Sequence, residues 1–326
     1  MRKVRKAVIT AAGRGTRQYP ASSTVQKEMF PLVDRDGLTK PTIQIIAEEA
    51  LASGIEEICI VTAPGDEEQY RRHFHGLAGD TLPAFGNRPW ALRESAQLAE
   101  IERRLTYVSQ ASPEGYGHAV YCAREFVGGE PFLLLLGDHV YVSREQVDGV
   151  EERCSRQVLR VFEREEATVS AVKRTPEDQL HLFGTVKGRP LEGPNGRLYE
   201  VTAIKEKPTP EYADEALRTP GLRRGEYLCF FGMQVFTPGI FDCLEHLIRN
   251  EIRERGEFQL TSAQALLRER ERYLAYEAIG DRYDMGIPYG YVETQIALAL
   301  HSSARDEMLA AIVKLVARSG IRQSSI

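Results

Sequence analysis

The chain has 326 residues, a formal net charge of −5, 42% hydrophobic and 27% charged residues. That is ordinary globular material, long enough for one large α/β domain with a sizeable core, and it excludes a disordered chain. The acidic balance argues against a general nucleic-acid binder, so any phosphate site has to be a local positive pocket. No run of about 18 apolar residues suggests a membrane span. Five scattered cysteines (59, 122, 154, 229, 243) form no Cys-x-x-Cys pair, which speaks against a zinc or redox site and fits a reducing cytoplasm. The basic start, Met1–Lys6, leads straight into an apolar strand, so no export signal is expected.

Ala7-Val8-Ile9 reads as a buried strand, and its exit is Ala11-Ala12-Gly13-Arg14-Gly15-Thr16-Arg17. Small residues let backbone N–H groups approach a ligand, and a loop of them makes a nest for anionic oxygens. Arg17 adds a forked donor for phosphate and Lys27 a compact positive charge. A dinucleotide fingerprint needs Gly or Ala where Gln18 stands, and a P-loop needs Gly-Lys-Ser/Thr, so neither motif is present. The pattern predicts a polyphosphate site at the C-terminal end of the first strand.

Residues 41–54 have helical spacing, and 58–62 read as a parallel-type strand, giving a βαβ unit whose first loop holds the phosphates. A helix is predicted over 67–74, with His73 and His75 on the surface, and an exposed Gly/Pro-rich excursion over 76–93. A helix over 96–105 and a strand over 105–109 follow. That strand ends at Gln110, whose amide can both donate and accept, as the edge of a nucleobase requires. Gly115 and Gly117 would let backbone groups reach the base, and a helix starts near His118. Phe132–Leu136 is the clearest buried strand. Asp138, closing it, is costly to bury unless it pairs or binds a cation, and it is the first metal ligand expected.

A surface helix is predicted over 151–167 and a strand over 168–172. Strands over 183–187 and 198–204 flank a hairpin at Gly193–Gly196, and Glu206-Lys207-Pro208 follows. Strands at 227–236 and 273–279 enclose helices at 238–250 and 263–271. Asp284, in a turn after a strand and beside Gly286, is the natural partner of Asp138 on a divalent cation. Residues 290–318 are predicted helical, with Ile296, Leu300, Leu309, Val313 and Val316 on a face that packs on the core or on another subunit.

Ala11–Arg17 followed by Lys27-Glu-Met-Phe-Pro31 resembles the sugar-1-phosphate nucleotidyltransferases, and within them the bacterial UTP–glucose-1-phosphate uridylyltransferase family (UDP-glucose pyrophosphorylase). That family opens with a strand, an Ala-Ala-Gly-x-Gly-Thr-Arg loop and a Lys-Glu-Met-x-Pro segment, and the resemblance extends over roughly residues 5–300. It implies a three-layer Rossmann-like nucleotidyltransferase fold with a mixed, mostly parallel central sheet and a C-terminal helical segment. The catalytic domain would be 1–289, with a nucleotide half over about 1–140 and a sugar-phosphate half over about 165–289. Helices over 290–326 would offer an oligomer contact.

The resemblance further implies that Ala11, Ala12, Gly13 and Gly15 cradle the nucleotide and that Gln110 and Gly115 recognise uracil. Gly184 would lie against the sugar, Glu206 would meet its hydroxyls and Lys207 its phosphate. With Arg17 and Lys27 on the triphosphate and Asp138 and Asp284 on Mg²⁺, the expected reaction joins UTP and glucose 1-phosphate into UDP-glucose and releases pyrophosphate. A homo-oligomer in the cytoplasm is expected, with neither nucleic acid nor membrane as partner. This chain departs from the family pattern at His139 and Ser262, where Asp is usual, and at Ile287-Pro288, where Lys is frequent. Those departures keep two alternatives open: a related enzyme using dTTP or another triphosphate, and a nucleotide-sugar-binding regulator without turnover.

Overall fold

The computed structural model describes residues 3–77, 82–86, 88–191 and 196–319. The chain opens with β1 (Lys6–Ala11), the Gly-rich loop, a hairpin of β2 (Pro31–Val33) and β3 (Thr39–Pro41), and α1 (Thr42–Ala52). β4 (Glu57–Thr62), α2 (Glu67–Phe74), α3 (Pro89–Glu102) and β5 (Leu105–Ser109) follow, then α4 (Tyr116–Cys122), α5 (Arg124–Val127) and β6 (Phe132–Leu136). Next come β7 (His139–Ser143), a small hairpin of β8 (Gln146–Val147) and β9 (Val150–Glu151), and α6 (Cys154–Glu165). The second half runs β10 (Thr168–Pro176), β11 (Thr185–Pro190), β12 (Leu198–Lys205), α7 (Pro210–Ala216), β13 (Glu226–Phe236), α8 (Gly239–Arg249) and α9 (Leu260–Arg270). It closes with β14 (Tyr273–Glu277), β15 (Gly280–Asp284), α10 (Pro288–Leu300) and α11 (Arg305–Ser319).

Nine strands form the central sheet in the order β10-β14-β12-β11-β13-β6-β1-β4-β5. The β6-β1-β4-β5 half is parallel, and helices carry the chain from β1 to β4, from β4 to β5 and from β5 to β6. The expectation of a mostly parallel sheet fails in the other half. There β13 runs antiparallel to β6, β10 and β11, and β12 antiparallel to β11 and β14, leaving β10–β14 as the one parallel pair. The physical reason is connection length: β11 and β12 are joined too briefly for a crossover, which forces a hairpin.

Side-chain alternation sorts the sheet's two faces. Ala7, Ile9 and Ala11 of β1 pack with Ile43 and Ile46 of α1, Tyr70 and Phe74 of α2, and Val158 and Phe162 of α6. Val8 points the other way, into a cluster with Val120 of α4, Leu244 of α8 and Leu267 of α9. Each of the larger side chains so buried contributes roughly 1.5–3 kcal/mol of hydrophobic stabilisation.

The element that positions the site is a separate two-stranded ribbon, β7 against β15, with Asp284 opposite His139 and Arg282 opposite Tyr141. Val140 and Val142 turn into a third cluster with Met285, Leu32 and Leu298. The intervening residues, His139 and Tyr141, therefore face the opposite side with Arg282 and Asp284. Asp284 thus closes a strand rather than sitting in a free turn.

Two further boundaries differ from the sequence reading. α3 starts at Pro89, seven residues before the predicted helix, because proline suits the first helical turn. The C-terminal helix is two, separated at residues 301–304, and α11 buries none of its residues. Residues 193–195 of the predicted hairpin and residues 78–81 and 87 of the 76–93 excursion lie outside the described residues, while β11 and β12 pair antiparallel as that hairpin requires. His73, expected on the surface, is half-buried beside Gln44, and burial pushes its pKa down to about 4. Among the described residues no helix is long and apolar enough to cross a membrane.

Candidate active site

A cleft of about 480 Å³ opens along the edge where β6, β13 and the β7–β15 ribbon meet. It is lined by Arg17, Asp138, Gly184, Glu206, Lys207 and Asp284, six of the residues singled out in the sequence, together with His139, Phe230, Gln234, Thr261 and Arg282. Residues spread from position 17 to position 284 therefore share one concave surface.

β6 delivers Asp138 to the floor. The Met285 N–H donates to the Asp138 carbonyl at 2.8 Å, extending the ribbon and drawing Asp284 alongside. Gly286 lies between the two acids. A Cβ there would sit 2.8 Å from Asp138 Oδ2, 2.9 Å from Asp284 Oδ1 and 3.4 Å from Arg17 Nη2. Only a glycine leaves that space free, and its N–H donates to Asp284 Oδ1 at 2.7 Å.

Lys27 Nζ donates to Asp138 Oδ2 and stands 3.5 Å from Glu28 Oε1. It runs beneath the Gly-rich loop, its Nζ 3.6 Å from where a Gly13 Cβ would be, while Gly15 takes the left-handed φ of 59° that turns the loop into the short helix carrying Arg17. Ala11 and Ala12 are buried at the end of β1. Burial would push the Asp138 carboxyl up, but Lys27, and His139 donating from Nδ1 to Oδ1 at 2.8 Å, outweigh it and hold the acid far below the usual carboxylate range. Burial would likewise depress Lys27, yet Asp138, Glu28 and Asp284 keep its ammonium above its ordinary value. Glu28 takes the opposite course: buried, and near Asp138, its carboxyl is pushed up to about 8 despite Lys27. The pair Lys27–Asp138 is thus fully charged at neutral pH while Glu28 holds a proton.

At the other end of the cleft Gly184 lies against Glu206, a Cβ there falling 2.7 Å from the Phe230 ring and 3.1 Å from Glu206 Oε2. Burial raises the Glu206 carboxyl, opposed by Lys207 and Thr261. Lys207 takes a left-handed φ of 42°, its N–H donates to the Phe183 carbonyl at 3.2 Å, and its Nζ stands 3.8 Å from Glu206 Oε1.

Gln110 is set apart from this cleft. Its backbone N–H donates to Thr62 O at the C-terminal edge of β4, and its side-chain Nε2 reaches Gly115 O at 3.1 Å and His118 Nδ1 at 3.0 Å. Gly115 packs onto Glu257 and Phe258, and Glu257 lines the cleft, so the Gln110–Gly115 loop adjoins its rim.

Three residues without an assigned role in the sequence reading matter here. Arg282 stacks over the Phe183 ring at 4.0 Å and donates to the Phe230 carbonyl at 2.5 Å, and it meets no carboxylate among the described residues. Desolvation lowers its pKa, with the nearby Tyr141 and the Asp284 charge opposing it only in part. Its position two residues before Asp284, on the same ribbon face, was the available signal. Glu28 was hidden because Lys-Glu reads as a solvated pair. Gln234, on β13, carries a buried Oε1 without a partner.

Fold and cleft define a class: an α/β protein with a glycine-rich anion loop, paired carboxylates and several cations gathered at the strand ends, built to bring phosphates together. The sequence pattern described as nucleotidyl transferase matches residues 6–299, and the chain belongs to that family. A UTP–glucose-1-phosphate uridylyltransferase of Bacillus subtilis (strain 168) is 36% identical over 310 residues, covering 95% of this chain and 96% of the relative. UTP–glucose-1-phosphate uridylyltransferase 2 of Staphylococcus saprophyticus is 36% identical over 316 residues, covering 97% and 99%. Among solved structures, a UDP-glucose pyrophosphorylase complexed with UDP-glucose superposes with a TM-score of 0.71 at 27% identity, covering 90% of this chain and 98% of that one. The UTP-bound UGPase from Acinetobacter baumannii gives 0.73 at 26% identity, covering 96% and 99%.

Proposed function

We propose that this chain transfers the uridylyl group of UTP to glucose 1-phosphate, forming UDP-glucose and releasing pyrophosphate. The observation that carries this reading is the convergence of Arg17, Asp138, Asp284, Glu206 and Lys207 on one cleft, in a chain whose full-length relatives bear the name of that reaction.

One oxygen of the sugar 1-phosphate forms a bond to the α-phosphorus, the bond from that phosphorus to the bridging oxygen of the β-phosphate breaks, and pyrophosphate leaves with the electron pair. No covalent protein intermediate is needed, so the work is positioning and charge neutralisation. The Ala11–Gly15 backbone and Arg17 hold the leaving phosphates. Lys27 faces the transferred phosphate from beneath the loop. Lys207 holds the attacking phosphate, with Arg282 as an unpaired guanidinium in the same cleft. Glu206 accepts hydrogen bonds from sugar hydroxyls, and Gly184 leaves room for the ring. Gln110 and Gly115 select the base at the rim.

The donor set fits a divalent cation: two carboxylates side by side, one held ionised, with Gly286 leaving the space between them free of side chain. Asp138 and Asp284 would hold Mg²⁺, which when bound neutralises charge on both phosphates. The antiparallel and parallel parts of the sheet correspond to a sugar-phosphate half (about 165–289) and a nucleotide half (about 1–140) of one three-layer catalytic domain, 1–289. The five cysteines are free thiols, as a cytoplasmic enzyme would keep them. The exposed Leu309, Val313 and Val316 of α11 fit a homo-oligomer, which sedimentation of the full chain tests.

Pyrophosphate release measured over UTP, dTTP, ATP and CTP with glucose 1-phosphate tests the reading. Release with UTP at least tenfold faster than with the others is expected. Preference for dTTP would replace the base assignment, and binding without release from any triphosphate would favour a regulator.

A further inference from the structure

Asp138, His139 and Asp284 each offer one metal-ligating atom, the three atoms lying within 4.8 Å of one another. In the proposed uridylyl transfer the two acids are the cation ligands and the imidazole has no part; a role for the ring at the same ion rests on that assignment of the acids.

The spacing gives it one. His139 Nδ1 lies 2.8 Å from Asp138 Oδ1. Two donors each about 2.1 Å from one ion, at right angles to each other, stand about 3 Å apart. The imidazole nitrogen and the carboxylate oxygen are therefore at the separation of neighbouring ligands on a single ion. The remaining oxygens are already committed in a way that leaves this pair available. Lys27 donates to Asp138 Oδ2 and the Gly286 N–H to Asp284 Oδ1; Asp284 Oδ2 is left for a cation, and Asp138 Oδ1 is held only by the His139 Nδ1–H, which an ion between the two would replace. The ring is buried and held against Gly232, where a Cβ would come within 3.1 Å of its Cδ2. A fixed ring loses little freedom on binding an ion.

We propose that His139 is a nitrogen ligand of this cation site, and that its imidazole moves the chain's ion preference from Mg²⁺ toward the first-row transition ions, of which Mn²⁺, the weakest of the series, is the probe. Mg²⁺ demands near-ideal oxygen coordination and sheds water reluctantly. Imidazole suits first-row transition ions, and in mixed nitrogen–oxygen sites their affinity follows the ordinary divalent series. On binding, the ring proton leaves Nδ1 and Nε2 takes one up from solvent, so the ring stays neutral; the Nδ1–H···Oδ1 hydrogen bond is given up and Nδ1 turns its lone pair to the ion.

The test uses the chelator-stripped full chain with His139→Asn and His139→Asp. Asn keeps an N–H donor for Asp138 but no imidazole nitrogen, and Asp supplies oxygen instead. Mn²⁺ binding is read from the loss of the free-ion electron paramagnetic resonance signal, and Mg²⁺ binding by competition against it. The wild-type Mn²⁺/Mg²⁺ affinity ratio should exceed that of either variant by about tenfold. Pulsed resonance on bound Mn²⁺ should show a ¹⁴N coupling in the wild type that His139→Asn removes. Equal ratios in all three proteins, or a nitrogen coupling that survives in His139→Asn, overturns the assignment. If that happens while pyrophosphate release still requires a divalent ion, only the role of His139 falls. If the wild type binds neither ion, the carboxylate site falls with it.

Discussion

Gly286→Ala separates positioning from folding at this site. The backbone at Gly286 has no left-handed φ, so an alanine meets no conformational penalty, and its entire effect is steric. Its methyl would arrive 2.8 Å from Asp138 Oδ2 and 2.9 Å from Asp284 Oδ1, where ordinary contact begins near 3.4 Å. The two carboxylates would have to separate by shifts of about 0.6 and 0.5 Å. Asp138 cannot yield freely, because Lys27 holds the oxygen being pushed; Asp284 cannot, because the same oxygen accepts from residue 286 itself. A misplacement of about 1 Å costs about a hundredfold in rate, so half that distance corresponds to about tenfold, or roughly 1.4 kcal/mol of barrier. Overpacking adds about 1–3 kcal/mol of destabilisation. Steady-state pyrophosphate release, with circular dichroism to confirm the fold, measures the first; a urea unfolding curve measures the second. A turnover number within twofold of the wild type would show that the separation of these acids does not limit the chemistry, and the convergence argument would lose its force.

Asp138→Asn should lower turnover by two orders of magnitude or more while the chain still folds, and near-normal pyrophosphate release would remove Asp138 from the cation site. Glu28 carries its proton to about pH 8 in the folded chain against an ordinary value of 4.5. Its contribution to stability is therefore fully present below pH 4.5 and is lost as pH rises through about 8, at up to about 1.4 kcal/mol per pH unit. Glu28→Gln should flatten urea-unfolding stability across that window and be more stable than the wild type at pH 8.5; parallel pH profiles would contradict the burial assigned to Glu28. Arg282→Met should leave the melting temperature unchanged or raise it, since it removes a desolvated cation that pairs with no carboxylate. It should also raise the KM for glucose 1-phosphate at least tenfold with little change for UTP, and equal losses for both substrates would place Arg282 elsewhere in the mechanism.

Local signals were readable wherever one segment contained the whole message. The apolar run of β1 and its small-residue exit announce a strand and an anion loop. Asp138 announces itself by following four leucines, because a carboxylate there must be compensated. Glu206-Lys207 is where the sequence puts it, at the end of β12, and the left-handed backbone at Lys207 turns the pair into the cleft. What stayed hidden depended on pairings between distant segments. Gly280-Asp-Arg-Tyr-Asp284 lacks the clean alternation of a strand and reads as a turn; it is a strand because β7 supplies its hydrogen bonds. β7 in turn was masked by the apolar run of β6 just before it. Of the antiparallel half only the β11–β12 pair was readable, from its Gly-rich hairpin; the other pairings were invisible, since a short apolar segment looks the same whichever way its neighbour runs.

The ribbon carries the consequence furthest. One residue of register slip between β7 and β15 would send Arg282 and Asp284 to the Met285 side and bring Tyr283 into the cleft. That register is fixed by apolar residues outside the chemistry, Val140, Val142 and Met285 packing on Leu32 and Leu298. A carboxylate pair 146 positions apart in sequence is thus aligned by valines that never meet a substrate. Lys27 completes the arrangement from a different element: with its ammonium on Asp138 Oδ2, the two acids can stand side by side before any cation arrives, and the oxygen it leaves uncovered is the one that His139 shares. The charge balance of the cleft by itself is already the template for the charge balance of the loaded one.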